Sequence, residues 1–231
     1  MSHSYKVYSF SYNNPERKRA MNERFGKVGL VVNWVEPVLS TDVRIQQAQL
    51  VESTSAINPR NHSIMLNHLD MIEEFLKSDA EFGVFCEDDV YIRRGFNKDI
   101  HIAIDGYKRL NIEIMLLGYL TNYKATETHM SGPHYPLEIP FTFLSVPDDL
   151  WGSQMYLLDK NGARRVLEEY GDFSKVKTHY NPDWTITKMP KRACIYPMLA
   201  VETGSVATDH WGQIAFHRAC FETNYKDHEF F

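Results

Sequence analysis

Three consecutive carboxylates follow a short apolar run in the stretch GVFCEDDVYI, residues 83–92: they are Glu87, Asp88 and Asp89. Adjacent carboxylates repel one another, and the repulsion grows in a cleft where the effective dielectric is low. A bound divalent cation that also holds a phosphorylated ligand offsets this repulsion, because hard cations take carboxylate and phosphate oxygens together. The alternative interpretation is a solvated acidic turn that follows a strand.

The spacing of the three acids predicts different binding roles for them. In an extended chain Glu87 and Asp89 project to one side and Asp88 to the other. We expect Asp89 to be the direct metal ligand, and Glu87 to touch the metal through water or to contact the ribose of a nucleotide. Asp88 is predicted to belong to the nucleotide-binding residues.

The elements around the acidic triplet alternate between strand and helix. Apolar and β-branched runs predict strands at 5–10, 30–38, 82–92 and 112–120, and helical spacing predicts helices at 15–25, 57–78 and 101–110. This alternation predicts an α/β fold with a mostly parallel twisted sheet flanked by helices. In such sheets ligands bind beyond the carboxyl ends of the strands, where the triplet lies.

The second half of the chain is less regular. Residues 121–150 hold four prolines and show little periodicity, which predicts a long excursion over one rim of the sheet. Residues 153–172 predict a strand and then a helix that stops at Gly171. A last strand is expected at 192–203, before a polar, histidine-containing stretch. Because no repeat or linker marks a boundary, residues 1–231 are predicted to form a single domain.

Composition disfavours several classes of function. The formal net charge is −5, and Lys and Arg are dispersed, so nucleic acid is not an expected partner. The three cysteines form no CxxC pair, which argues against a zinc site and against a disulfide framework. No apolar run is long enough for a signal peptide or a membrane span. A cytoplasmic location is therefore expected.

Four stretches resemble glycosyltransferase family 25, the lipooligosaccharide and collagen galactosyltransferase group, and they occur in the order of that family. The resemblance covers about residues 5 to 205. The stretches are NNPERKRAM (13–21), SIMLNHLDMI (63–72), FCEDDVYI (85–92), and GSQMYLLDKNGARRVL (152–167) followed by NPDWTI (181–186).

The resemblance implies a GT-A-like fold with a single Rossmann-like nucleotide-sugar-binding domain. It also implies a UDP-sugar donor, a divalent cation (Mn²⁺ or Mg²⁺) at the acidic motif, and transfer to a hydroxyl of a glycan or glycoconjugate acceptor, with inversion expected. One alternative is a catalytically silent domain that binds a nucleotide sugar or a glycan. A nucleotidyltransferase is the third possibility, but the loop SFSYNNPERK lacks the glycines typical of that class.

An inverting transfer needs a general base near the acceptor hydroxyl. Through the resemblance, Asp183 in NPDW is the candidate, because it stands beside an aromatic residue that can stack on a sugar. Asp149, just before a predicted strand, is the rival. His210, or its neighbour Asp209, is expected to complete the metal site from the C-terminal region. A surface histidine in a loop is the simpler interpretation of His210.

Residues near the expected nucleotide end complete the candidate site. Arg17 and Arg60 can pair with phosphate, since a guanidinium forks onto oxyanions; ordinary surface arginines are the alternative. Tyr12 and Asn13, immediately after the first strand, can contact the uracil or ribose, although turn formation also explains Asn13. His68, within the second helix, is expected to be a buried structural histidine.

Overall fold

The computed structural model describes residues 3–51, 58–123, 134–136, 142–146, 150–176, 179–206 and 208–231. The strands are β1 (Tyr5–Phe10), β2 (Val32–Val35), β3 (Phe82–Cys86), β4 (Val90–Ile92), β5 (Ile114–Leu120), β6 (His134–Pro136), β7 (Thr142–Ser145), β8 (Trp151–Asp159), β9 (Arg192–Tyr196) and β10 (Ala200–Glu202). The α-helices are α1 (Pro15–Gly26), α2 (Val43–Val51), α3 (Pro59–Lys77), α4 (Phe96–Leu110), α5 (Lys160–Tyr170) and α6 (Trp211–Asn224). Short 3₁₀ helices span Phe173–Lys175, Pro182–Trp184 and Ile186–Lys188.

Eight strands form one sheet in the order β2-β1-β3-β8-β5-β9-β7-β6. β1 is parallel to both β2 and β3, and β5 is parallel to β9. β8 runs antiparallel between β3 and β5, and β7 runs antiparallel between β9 and β6. All strands of this sheet except β8 and β7 therefore point the same way. β4 and β10 form a separate antiparallel pair.

Helices cover both faces of this sheet. α3 and α5 pack on one face, where Met65 and Phe75 join Phe85 and Tyr156 in a buried cluster. α1 and α4 pack on the other, where Phe25 and Ile100 join the strand residues that point that way. The predicted α/β class, a twisted sheet of mainly parallel strands flanked by helices, is confirmed. The antiparallel insertion of β8 was not predicted.

The helix starts follow the local sequence. Asn14 caps α1 by accepting a hydrogen bond from the backbone of Arg17, and Asn58 caps α3 in the same way. A proline follows each cap, at a position where its missing N–H has no helical partner. Within the described parts of the chain, no helix has the length and apolarity needed to cross a bilayer.

Two predicted strands are each divided in the structure. The run 82–92 ends as β3 at Cys86 and resumes as β4 at Val90, because the three acids form a turn between them. The run 192–203 becomes β9 in the main sheet and β10 in the small sheet with β4. The polar stretch after it contains α6, which the sequence analysis left irregular. Much of 121–150 lies outside the described residues.

Candidate functional site

A cleft of about 360 Å³ opens at the carboxyl ends of β1 and β3. These strands are parallel neighbours, so their following loops meet at one edge of the sheet. The structure brings together most of the predicted site residues here: Tyr12, Arg17, Arg60, Glu87, Asp88 and Asp89 line the cleft. Glu202 and His217, which come from β10 and α6, line it as well.

Arg17 bridges two of the three acids. Its Nη1 lies 3.1 Å from Asp88 Oδ1 and 3.5 Å from Asp89 Oδ2. The other oxygen of Asp88 accepts a hydrogen bond of 2.5 Å from the Ser11 hydroxyl. Both oxygens of Asp88 are therefore engaged by the protein. This pairing differs from the extended geometry that we expected, because the turn at 88–89 directs Asp88 and Asp89 to the same arginine.

Asp89 is the most buried residue of the triplet. Its side chain is nearly buried, with 9% of the residue exposed, and Oδ1 has no hydrogen-bond partner among the described residues. Burial, with the nearby negative charge of Glu202, raises the pKa of Asp89 to about 6, although Arg17 acts in the opposite direction. A buried carboxylate oxygen without a partner is costly. The fold thus leaves one acid oxygen of the cleft open to a ligand.

Glu87 points toward β8 instead of Arg17. Its Oε1 accepts a hydrogen bond of 3.1 Å from the hydroxyl of Ser153. Burial raises the pKa of Glu87 well above its ordinary value, and the charges of Asp89, Asp183 and Glu202 raise it further. Four carboxylates therefore share one region of low dielectric, which favours either a proton or a cation there.

Glu202 and His217 form a pair that the sequence analysis missed. Glu202 is 7% exposed, and its Oε1 lies 2.5 Å from Nδ1 of His217. Although burial opposes protonation, this contact and the nearby acids raise the pKa of His217. The end of β10 is also fastened to the acidic turn, because the backbone N–H of Thr203 donates to the carbonyl of Asp89 at 2.9 Å.

The histidine predicted for the metal site lies elsewhere on the same helix. His210 is exposed and caps the start of α6, where its Nδ1 accepts a hydrogen bond of 3.3 Å from the backbone of Gln213. His210 is not among the residues that line the cleft, whereas His217 is. The two are seven residues apart, which is two helical turns. Recognising α6 in the sequence would have drawn attention to His217.

Tyr12 and Asn13 separate in the structure. The Tyr12 hydroxyl accepts a hydrogen bond of 2.6 Å from Asn67 Nδ2 and lies 2.6 Å from the Ser63 hydroxyl, so the ring is held at the cleft while 39% of the residue stays exposed. Asn13 is exposed, has a positive φ of 47°, and does not line the cleft. Its conformation fits the turn interpretation. His68 is fully buried, as expected.

Asp183 lies in the 3₁₀ helix Pro182–Trp184 and is not among the residues that line the cleft. Its Oδ1 accepts a hydrogen bond of 3.2 Å from the backbone N–H of Gly152, and the Ser153 side chain lies close enough to its carboxylate to act against the rise in its pKa. Burial raises the pKa of Asp183. Ser153 therefore contacts both Asp183 and Glu87 and joins the two carboxylates. Asp149, the rival base, lies outside the described residues.

The donor set suits a hard cation only in part. Among the described residues, no three His, Cys, Asp or Glu side chains are arranged to hold a metal by themselves. The cleft does offer carboxylate oxygens, the ligand type that Mg²⁺ and Mn²⁺ prefer, and Asp89 Oδ1 is without a partner. The residues fit a cation that takes one or two protein oxygens and fills its other positions with phosphate and water.

No protein-family model matches this chain, and no curated protein matches it. The solved structures that are similar to it include the following three. A glycosyltransferase involved in the glycosylation of the major capsid of PBCV-1 has a TM-score of 0.42 at 12% identity, over 93% of this chain and 98% of that one. Residues 1–349 of S. aureus TarS have a TM-score of 0.43 at 13% identity, over 97% and 67% of the two chains.

The third is CMP:2-keto-3-deoxy-manno-octonic acid synthetase in complex with CTP. Its TM-score is 0.34 at 12% identity, over 72% of this chain and 78% of that one. Similarities at these TM-scores and identities do not assign a family or an activity. The resemblance to glycosyltransferase family 25 therefore stays a prediction.

Proposed function

We propose that this chain transfers a sugar from a nucleotide-sugar donor, a UDP-sugar in the first instance, to a hydroxyl of a glycan or glycoconjugate. The observation that carries the proposal is the buried, unpartnered Oδ1 of Asp89 in a cleft that also presents Arg17 and Arg60. A carboxylate oxygen beside guanidinium groups suits a ligand that brings both a cation and phosphates. The GT-A-like fold is part of this proposal.

The nucleotide occupies the side of the cleft next to β1 and α3. The ring of Tyr12 is fixed through its hydroxyl and partly exposed, which suits stacking on a base. Arg60 lies in the first turn of α3, where the helix dipole favours negative charge, and it binds the diphosphate. His217, oriented by Glu202 through Nδ1, approaches the same phosphates from α6.

Asp89, with help from Glu87, would hold a divalent cation, Mn²⁺ or Mg²⁺, and such an ion would supply positive charge against the departing diphosphate. Arg17 keeps Asp89 in place through Oδ2 and leaves Oδ1 for the ligand. Asp88, with both oxygens engaged by Arg17 and Ser11, supports the turn that presents Asp89.

The acceptor hydroxyl loses its proton to Asp183, as an inverting reaction requires. Burial raises the pKa of this carboxyl, which brings a weak base closer to the range where proton transfer is efficient. Its contact with Ser153 places it next to Glu87 and the acidic turn. Asp149 stays the alternative base.

Calorimetry and a donor screen test this function. UDP should bind in the presence of Mn²⁺ and bind far more weakly in EDTA, and at least one UDP-sugar should be slowly hydrolysed. Asp89→Asn should lower that hydrolysis by about 100-fold or more, because the carboxylate that holds the cation is lost. Asp79→Asn is the matched control, since Asp79 pairs with Lys6 away from the cleft, and it should leave both readouts unchanged.

Equal UDP affinity with and without Mn²⁺, together with no turnover of any donor, would instead favour the catalytically silent binding domain. Unchanged hydrolysis in Asp89→Asn would reject the role of this acid in holding the cation.

A further inference from the structure

Two tryptophans meet beside Asp183. The ring centroids of Trp151 and Trp184 are 4.7 Å apart, with an angle of 55° between the planes. Trp184 is 42% exposed, although it is one of the largest apolar side chains, and His179 lies at its edge with a centroid distance of 5.2 Å. Single exposed apolar residues are common on protein surfaces. A fixed pair of indoles with an exposed face needs a more specific explanation.

The protein holds this pair rigidly. The backbone N–H of Trp184 donates to the side chain of Asn181 at 3.0 Å, which fixes the 3₁₀ helix that carries it. Trp151 begins β8, and Lys188 places its ammonium 4.8 Å from the centre of the Trp151 ring while donating to the carbonyl of Leu150 at 2.7 Å. Lys188 thus packs against Trp151, and Trp184 carries the exposed indole surface.

The pair is continuous with the proposed site. Asp183 precedes Trp184 directly, and it accepts a hydrogen bond from Gly152, the residue after Trp151. Ser153 follows and bonds to Glu87 at the cleft. Trp184 is therefore linked to the proposed base through the chain and to Glu87 through Ser153.

We propose that Trp184, supported by Trp151, is the stacking platform for one pyranose ring of the acceptor, an inference that rests on the proposed function. A hexopyranose has a face of C–H groups that packs on an indole and a rim of hydroxyls that needs polar partners. His179 lies at the edge of the exposed indole, and Asp183 precedes Trp184 in the chain, so both are near enough in sequence or space to supply such partners. The polar surroundings favour a carbohydrate over an apolar peptide, for which a wider apolar surface is expected.

The four tryptophans of the chain give a direct readout, because each contributes one indole N–H signal to a ¹⁵N-correlated NMR spectrum. The probes are the methyl α- and β-pyranosides of glucose, galactose, mannose and N-acetylglucosamine, titrated at millimolar concentration. At least one should shift the signals of Trp151 and Trp184 and leave those of Trp34 and Trp211 in place. Trp34 is engaged by Asn22, and Trp211 is the more exposed residue, at 79%.

Variants separate stacking from a general effect on the fold. Trp184→Ala should lower the affinity for the glycoside, measured by titrating the Trp151 signal, by about 5- to 10-fold. Trp184→Phe should restore most of this affinity. Trp211→Ala is the matched control, because it removes an exposed tryptophan outside the pair, and it should change nothing. UDP binding should be the same in all three variants.

The platform is rejected if no glycoside moves the Trp151 and Trp184 signals, or if Trp184→Ala and Trp211→Ala weaken the response equally. Shifts by glycosides without any UDP binding would support the platform while rejecting the proposed transfer. UDP binding without any glycoside-induced shift would reject the platform and leave the proposed nucleotide site supported.

Discussion

The carboxyl of Asp89 has one oxygen at an arginine and one buried oxygen for which the described residues provide no partner. Arg17 offsets part of the repulsion from its neighbours, but burial still raises the pKa of Asp89 to about 6. An aspartate in the unfolded chain titrates near ~4. The folded protein therefore binds this proton more tightly than the unfolded chain, and ionising Asp89 costs stability as the pH rises from about 4 to about 6.

Asp89→Asn removes this ionisation and should stabilise the metal-free protein. At neutral pH, in EDTA, we expect the free energy of unfolding to increase by on the order of 2 kcal/mol. The gain should shrink as the pH falls below about 6 and vanish near about 4, where the wild-type carboxyl is protonated in both states. Urea unfolding of the two proteins across this pH range measures the difference.

Asp88→Asn is the control variant for this experiment. Both oxygens of Asp88 are bonded, to Arg17 and Ser11, so the amide should lose stability instead of gaining it. Adding Mn²⁺ should stabilise the wild type and leave Asp89→Asn unchanged, because a ligand stabilises only the state that binds it. Equal stability of wild type and Asp89→Asn at neutral pH would contradict the free-energy cost that we assign to the ionised Asp89 carboxylate.

The sequence predicted those site residues that lie close along the chain to the end of a predicted strand. The acidic triplet follows β3 directly, and Arg17 lies in the first turn of α1, the helix that follows β1, so the predicted order of strands and helices brings them to one edge. Glu202 and His217 could not be found in this way, because the first comes from a strand of the small sheet and the second from a helix without a clear apolar stripe. Their place beside Asp89 depends on packing between distant parts of the chain.

β10 is the element that carries Glu202, and its position depends on a close approach to β5. A Cβ added to Gly118 of β5 would lie 2.7 Å from the backbone oxygen of Ala200, at the start of β10. The two segments are also joined by a hydrogen bond of 2.8 Å from the N–H of Leu199 to the carbonyl of Leu117. Glycine at 118 therefore sets the depth at which Glu202 enters the cleft.

Gly118→Ala should push β10 away from β5. We expect a loss of about 1–3 kcal/mol in the free energy of unfolding, because a backbone oxygen has little room to move. UDP affinity should fall as well, since Glu202 and the Thr203 bond to Asp89 follow in the same segment. Gly26→Ala is the control: a Cβ at Gly26 meets nothing within 4 Å. Identical calorimetric affinity for UDP in the two variants would show that β10 does not position the site.

Element prediction succeeded where apolar pattern and capping agree. β1 and α1 begin at the predicted residues and α3 begins two residues inside its predicted range, because a β-branched or aromatic run, or an Asn-Pro pair, marks each start. Pattern could not show that the run 82–92 breaks at the acids, or that 192–203 serves two sheets, since both stay apolar on either side of the break. Nor could it show that β8 runs antiparallel, because strand direction is set by the connection and not by the strand.

The described parts of the chain form two buried clusters, one on each face of the same sheet. Phe85 and Tyr156 point into one, and Val84 and Leu157 point into the other. Because neighbouring residues of β3 and β8 alternate between the clusters, neither cluster can be lost without disturbing the strands that carry the other. This arrangement favours the single domain that the sequence predicts.

Unfolding in urea should accordingly follow one transition. Far-UV circular dichroism and tryptophan fluorescence should give the same midpoint and the same slope, because the helices and the tryptophans of β2 and β8 depend on one sheet. Ile100→Ala, which opens the cluster on the α4 face, should lower both midpoints together. Two separate transitions, or a shift in only one signal, would indicate two independently folding units.

Because β8 runs antiparallel to β5, the connection between these two strands begins and ends on the same side of the sheet. β5 ends, and β8 begins, at the same edge of the sheet, since Leu120 pairs with Trp151. The chain between them, which includes β6 and β7, therefore leaves and re-enters its two neighbouring strands at the edge of the sheet where β1 and β3 also end. Under the proposed function, a change in the loops of that connection would alter the surface beside Trp151 and leave β1, β3 and the nucleotide side of the cleft in place, so acceptor choice would change independently of the donor.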